Sequence, residues 1–504
     1  MDELDVAQPK PRSTFQLTRF VVLRLLGVVY AFAFWAFVRQ GVPLMGHAGL
    51  LPADTFLERV AKHFGGRSAG FWELPTLFWA HISDGALMTV AWIGFLLSLL
   101  VVAGFADALI MFVLWALYMS VVHVGQLFYG YGWEMQLLET GFLAIFLCAP
   151  LDLRPFPKRQ PPEIVVRLFW WLAFRVMLGA GLIKIRGDQC WRDLTCLDYH
   201  FETQPIPNPL SPYFHFAPHG VHAAGVVMNH LAELLCPFLI FLGRVPRNIA
   251  ATVMLVFQLT LILSGNLSFL NWLMIVPILA CFDDRVWSRV LPRALVARAS
   301  GAEATQLSWN VVSVALMLLV AMLSVDPVKN LLSDEQAMNT SFGAFELVNT
   351  YGAFGSVGKE RNEIIFEGTR STTPDDPNAE WRPYEFVCKP GDPMRRPCIT
   401  SPYQPRIDWQ IWFAAMSEVD QQPWAIHLVW KLLHNDAGAL SLLDGNPFPE
   451  GPPRFIRAKF YRYRFAPLGT PAWWTREEQG MWMPAVSLET TQLKDIIEEH
   501  GWTD

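Results

Sequence analysis

From Leu17 to Val38 the chain is apolar except for Thr18, Arg19 and Arg24, a run long enough for a helix to cross a hydrocarbon core of roughly 30 Å. Comparable runs recur at Ala86–Phe105, Asp107–Phe128, Trp133–Leu151, Ile164–Ile185, Ala224–Gly243, Ile249–Gly265, Leu267–Phe282 and Leu307–Val325. The pattern predicts about nine membrane spans. No small-residue cleavage site follows the first run, which therefore reads as a retained signal anchor.

Beyond Asp326 the period changes. Alternation in "NEIIFEG", "PYEFVCK" and "RFIRAKFYRYRF", bounded by Pro/Asp/Gly clusters, predicts strands. The apolar register slips near Tyr461, which predicts a bulge or an edge. Trp409–Met416 and Trp424–His434 have the spacing of two short amphipathic helices. The expected architecture is a polytopic α-helical membrane protein. Residues 1–325 form the multi-span region, with extracytoplasmic loops 39–85 and 186–223. Residues 326–504 form a soluble, β-rich extracytoplasmic domain, a sandwich or barrel with a helical insertion.

Composition agrees with a membrane class: 53% of residues are hydrophobic and 17% charged, against roughly 25% charged in soluble domains. The net charge of −6 says little about partners, because orientation depends on where basic residues lie. Lys10, Arg12 and Arg19 precede the first run. Arg154, Lys158 and Arg159 follow the fourth, Arg244 and Arg247 the sixth, and Arg285, Arg289, Arg293 and Arg298 the eighth. All are expected in the cytoplasm, which puts the loop after the fifth span and everything after the ninth outside.

Topology then sorts the seven cysteines. Cys148, Cys236 and Cys281 fall in spans as small apolar groups. Cys190/Cys196 and Cys388/Cys398 are local pairs on the outer side, where disulfides persist. Pairing within each is the simplest arrangement, with thiol exchange, a metal site and free thiols as alternatives. His215, His219 and His222 have helical spacing, but Pro218 and Gly220 interrupt such a helix, which favours an interfacial loop over a metal site. No metal is expected. Asn266-Leu-Ser and Asn339-Thr-Ser are glycan acceptors if the source is eukaryotic.

Ionisable residues within spans are costly, so each belongs to a packed pair or a site. They are Arg24, His123, Glu134, Glu139, Arg167, Arg175, Lys184, His230 and Glu233. Arg24, Arg167 and Glu134 lie near helix ends and read as snorkelling. Arg175 is mid-span and needs a carboxylate, Glu139 or Glu233. Lys184 follows Gly179, Ala180 and Gly181, small residues that admit a close neighbouring helix. A lysine desolvated there loses preference for charge and becomes usable as a general base, with Glu139, His123, His230 or Glu233 as partners. The alternative is an interfacial anchor.

The segments "KIRGDQCWRDLTCLDYHFETQPIPNPLSPYFH", "GKERNEIIFEGT", "YEFVCKPGD…RRPCITSPYQPRIDWQIWFAAM" and "WWTREEQGMWMPAVSLE" resemble the lipase maturation factor family through most of the chain. That resemblance implies a protein of the endoplasmic reticulum that folds and assembles secreted dimeric lipases and is linked to redox homeostasis. It also implies a motif-bearing outer surface at Arg186, Asp188, Trp191, Arg192, Asp193, His200, Trp409 and Trp412. The chain ends "EEHGWTD", without a retention signal. A bacterial source would place the outer domain on the periplasmic or extracellular side. A shorter stretch, "GAGLIKIRGDQCW", is similar to the horizontally transferred transmembrane helix group that includes the vitamin K-dependent γ-carboxylase. There the motif lysine, matched by Lys184, acts as base.

Two functions compete. The first is a non-catalytic maturation factor whose partners are membrane lipids and an exported client, not nucleic acid. Its aromatic surface would be drawn from Trp409, Trp412, Trp473 and Trp474. The second is an intramembrane enzyme with Lys184 as base on a quinone-like or other lipid-soluble molecule. A thiol oxidoreductase fits less well, because the gap between Cys190 and Cys196 is unlike Cys-x-x-Cys. A transporter would show an inverted repeat, and none is evident.

Overall fold

The apolar runs pack against one another in a computed structural model that describes residues 14–502. Lys10 and Arg12 lie outside the described residues. Among the described residues, five stretches have the length and composition to cross a bilayer: Gln16–Met45, Asp84–Ala103, Glu163–Gly187, Arg244–Ser264 and Leu307–Leu332. Ala108–Val124 and Gly132–Leu147 are shorter, at 17 and 16 residues. In place of a span over Leu267–Phe282 stands a ten-residue helix, Leu270–Leu279, almost wholly buried. At about 15 Å it is half a hydrocarbon core long.

The Ala224–Gly243 run also departs from a single straight helix. His219–His230 is α-helical, and Leu231–Leu235 widens into a π-helical turn. Pro237 has no N–H to give the Glu233 carbonyl, and Cys236 instead bonds back to Leu231. Pro218 caps His219–His230 at its start and does not break it, since a proline before the first turn removes no helical hydrogen bond. Elsewhere a glycine sets the packing: a Cβ on Gly94 would collide with the Phe34 ring. That glycine admits the Asp84–Ala103 helix against Gln16–Met45.

The C-terminal part holds one antiparallel sheet, neither a sandwich nor a barrel. Its strands are β1 (Arg361–Thr369), β2 (Arg382–Pro383), β3 (Phe455–Phe465) and β4 (Trp474–Val486), in the order β2-β1-β3-β4. The second layer is helical: Arg406–Ala414 packs on β1, and Pro423–Leu433 packs on β3 and on Thr491–Glu499. This part is therefore α+β. The two expected helices form, and the ladder shifts between Phe460 and Tyr461, the bulge the pattern predicted. "PYEFVCK" contributes only Pro383 to β2 and a single bridge at Phe386. There the Asp408 carboxylate accepts the backbone N–H groups of Cys388 and Lys389, at 2.5 and 2.8 Å, in the place of a ladder partner.

One buried apolar cluster runs from Phe15 to Trp502 and joins the helices to the C-terminal layer. Phe128 meets Trp424 edge-on at 6.0 Å, and Trp133 meets Trp409 at 5.0 Å. Aromatic pairs of this kind add about 0.5–1.5 kcal/mol each beyond the area they bury.

Candidate functional site

Lys184, near the end of the Glu163–Gly187 helix, is 4% exposed. Its Nζ donates to both Glu233 oxygens, at 2.6 and 2.8 Å, and to Asn229 Oδ1 at 3.0 Å. Asn229 Nδ2 donates in turn to Glu233 Oε2. The π-helical turn carries Glu233 to this position, with Gly181 beneath it: a Cβ there would lie 2.7 Å from Leu234. The ammonium also stands 5.2 Å from the centre of the Trp191 ring. All three N–H groups have acceptors and the charge is balanced. The geometry is that of a structural cation.

Above it, Cys190 and Cys196 form a disulfide with Cα atoms 4.8 Å apart, and Asp188 caps the Cys190 N–H at 3.0 Å. His200 is buried beside this loop. Burial first, and then the Lys184 charge, pull its pKa down to about 4, so the imidazole is neutral at pH 7. Cys388 and Cys398 form the second disulfide, and Cys148, Cys236 and Cys281 are buried free thiols.

Of the other groups proposed around Lys184, only Glu233 touches it. His230 Nε2 lies 3.0 Å from the Trp191 carbonyl. His123 Nδ1 is bonded to Pro75 O at 2.8 Å, and Glu139 pairs with Arg175, with Oε2 also accepting from Tyr351 OH at 2.7 Å. Those two belong to different neighbourhoods.

The motif residues form an internal joint more than an open surface. Arg186 donates to Leu331 O and Gln336 Oε1, Asp188 accepts from Val357 N, and Trp191 Nε1 donates to Phe354 O at 2.9 Å. The His200 ring meets Phe354 at 4.9 Å. Segment 331–357 is thus strapped to the helix end. Cβ atoms on Gly179 and Gly187 would collide with the carbonyls of Tyr351 and Gly355, so these glycines admit the strap and not a helix. Trp409 is buried, and Trp412 is half-buried with its indole N–H on Thr203 O. Arg192 and Asp193 are exposed. Trp474 is buried and Trp473 half-buried.

Two further clamps bind the layers. Glu134, read as a snorkelling residue, is fully buried and paired with Arg406 at 2.8 Å. Arg361, also fully buried, donates to the carbonyls of Glu202, Gln204 and Pro205 and to Glu363. No hydropathy pattern signals such partners, which lie far along the chain. Asn266 is likewise internal: its amide donates to Cys398 O and accepts from Thr400 N, leaving no room for a glycan.

Asp408 gives a pH test. Burial pushes its carboxyl up to about 6 against the hydrogen bonds from Cys388 and Lys389 N–H. The fold therefore favours the protonated acid. That contribution is complete below about pH 4 and lost as pH rises through 6. Between pH 7 and 5 the wild type is expected to gain about 1 kcal/mol that Asp408→Asn does not, read from urea unfolding at the two pH values.

The three histidines divide between two carboxylates. His219 and His222 share Asp198, at 3.0 and 2.8 Å, while His215 lies 3.6 Å from Glu202. No group of metal-ligating side chains suited to an ion is present among the described residues.

Apolar helices of spanning length, joined to an α+β layer by the buried Glu134–Arg406 pair and by hydrogen bonds from Arg361, define an integral membrane protein whose two parts share one core. Residues 17–289 match the lipase maturation factor transmembrane domain, and residues 347–484 match the lipase maturation factor C-terminal domain. Lipase maturation factor 1 of Bos taurus is 48% identical over 97% of this chain and 92% of its own length. The Homo sapiens protein of that name is 47% identical over 97% and 91%. Lipase maturation factor 2 of Xenopus laevis is 28% identical over 97% and 85%. No solved structure matches. The chain belongs to the lipase maturation factor family.

Proposed function

We propose that the chain serves maturation of exported lipases by holding a client at a fixed extracytoplasmic surface, with no covalent chemistry at Lys184. The observation that carries this reading is the 48% identity, over 97% of the chain, to a protein named for lipase maturation. The engagement of every Lys184 proton supports a structural part for that residue.

Orientation rests on the basic residues. Arg19 donates to Arg159 O, and Asp284, beside Arg285, accepts the N–H groups of Gln16 and Leu17. This basic end is assigned to the cytoplasm, and the C-terminal layer with both disulfides to the oxidising side. In a eukaryote that side is the lumen of the endoplasmic reticulum. In a bacterium it is the periplasmic or extracellular face. The nine-span count of the pattern, with short or broken helices completing some crossings, fits the same assignment. On the C-terminal layer Phe413, Met416 and Met481 are exposed and apolar, and Trp482 ties their two elements together through Ser417 O. These residues are the assigned client contact.

A photo-crosslinker at Met416 is expected to capture a newly made secreted dimeric lipase. In sealed bacterial cells expressing the chain, where the assigned side is the periplasmic face, an impermeant thiol reagent should label Thr470→Cys but not Ser288→Cys. Labelling of Ser288→Cys alone, or no lipase adduct with the chain expressed, overturns the reading.

A further inference from the structure

At the basic end, the first turns of Glu163–Gly187 and Arg244–Ser264 and the turn before Gly243 enclose a cleft of about 360 Å3, within the range of small-ligand sites. Phe15, Trp170, Ile240 and Phe241 wall it; Glu163, Arg167 and Arg247 supply its charges. Glu163 is taken by Arg167 at 2.7 Å, and Asp283 is held by Arg244, whose Nε lies 2.7 Å from Oδ2 and whose Nη2 donates to Oδ1 at 3.1 Å. Arg247 forms no salt bridge among the described residues, although the Asp283 charge attracts it. It is 7% exposed, lies 4.3 Å over the Trp170 ring and donates Nε to Cys281 O. Its two terminal nitrogens have no hydrogen-bond acceptor among the described residues.

A buried cation whose neighbouring acid, Asp283, is already paired with Arg244 is under-compensated, and this one lines an open cleft. The N-terminus of Arg244–Ser264 has no side-chain cap, so its first N–H groups add to a field that favours an anion. Beside the cleft, Phe238, Leu242, Val245 and Ile249 are exposed and apolar, and Phe241 continues this face into the cleft wall. We propose that this cleft binds the phosphate of an anionic glycerophospholipid, with its acyl chains against that face. Arg247 holds the phosphate, Arg167 closes the rim, and the apolar face separates a lipid from a free phosphate.

The test is native mass spectrometry of the detergent-purified full chain with phosphatidylglycerol, phosphatidylcholine or sn-glycerol 3-phosphate. The wild type is expected to retain phosphatidylglycerol about tenfold better than phosphatidylcholine, because both present the phosphate but the choline cation is repelled by Arg167 and Arg247. Arg247→Gln should abolish the preference. Arg167→Gln alters an exposed residue, spares the fold and frees the Glu163 charge at the rim; it should weaken retention several-fold. Equal retention of the two lipids by the wild type, undiminished retention of phosphatidylglycerol by Arg167→Gln, or displacement of lipid by glycerol phosphate at equal concentration overturns the proposal.

Discussion

Arg406→Ala is expected to cost about 3–5 kcal/mol and to leave little folded protein, because it strands a carboxylate that has no access to water. Arg406 and Glu134 are both fully buried. The guanidinium also donates to Phe128 O at 2.7 Å and lies 3.4 Å over the Tyr129 ring, while Tyr118 donates to the other Glu134 oxygen. Glu134→Gln alone should cost less, since the amide oxygen can still accept from Arg406 while its NH2 donates to the Tyr118 hydroxyl. Joining Glu134→Leu to Arg406→Met should cost less than the two single changes summed, because no buried charge is left. Thermal unfolding of the detergent-solubilised variants reads all of these. Additive costs would show that the pair is not coupled.

Lys184→Met should be nearly as damaging, because it leaves Glu233, 4% exposed, without a cation. The expected loss is again about 3–5 kcal/mol, with little protein reaching the folded state. Adding Glu233→Gln removes the stranded charge and is expected to restore most of the fold, because the introduced amide and the Asn229 amide can satisfy each other. This double change separates structure from chemistry. If Lys184 holds the helix end, fold and client maturation return together. Restored folding with no client maturation would assign the lysine a chemical role.

The class of fold was legible in the apolar runs because length against bilayer thickness is a one-dimensional property. Helix ends were harder. Leu267–Phe282 has the composition of a span, yet only its middle is helical, with Pro277 inside and the run buried among other helices. The bulge near Tyr461 was readable because a slip of one residue moves every later side chain to the other face. β4 was not, since Thr475, Arg476, Glu477, Glu478 and Gln479 in a row hide the alternation of an edge strand.

The same distinction governs the site. Arg175 needed a carboxylate by its depth alone, and Glu139 is the one it has. Both cysteine pairs formed within their own short loops. The joint between "KIRGDQCW" and segment 331–357 depends on partners more than a hundred residues away, and the same is true of Glu134 with Arg406. A buried Arg or Glu in an apolar run announces that a partner exists but not where it lies.

Maturation of an exported lipase is tested most directly by secreted activity. The full chain is expressed with a secreted dimeric lipase in cells lacking their own lipase maturation factor, and lipase activity per unit of lipase protein is measured in the medium. Specific activity is expected to be restored by the wild type and by Lys184→Met/Glu233→Gln, but not by Arg406→Ala. Wild-type protein that is membrane-inserted, with both disulfides oxidised, and yet leaves secreted lipase inactive would contradict a maturation role.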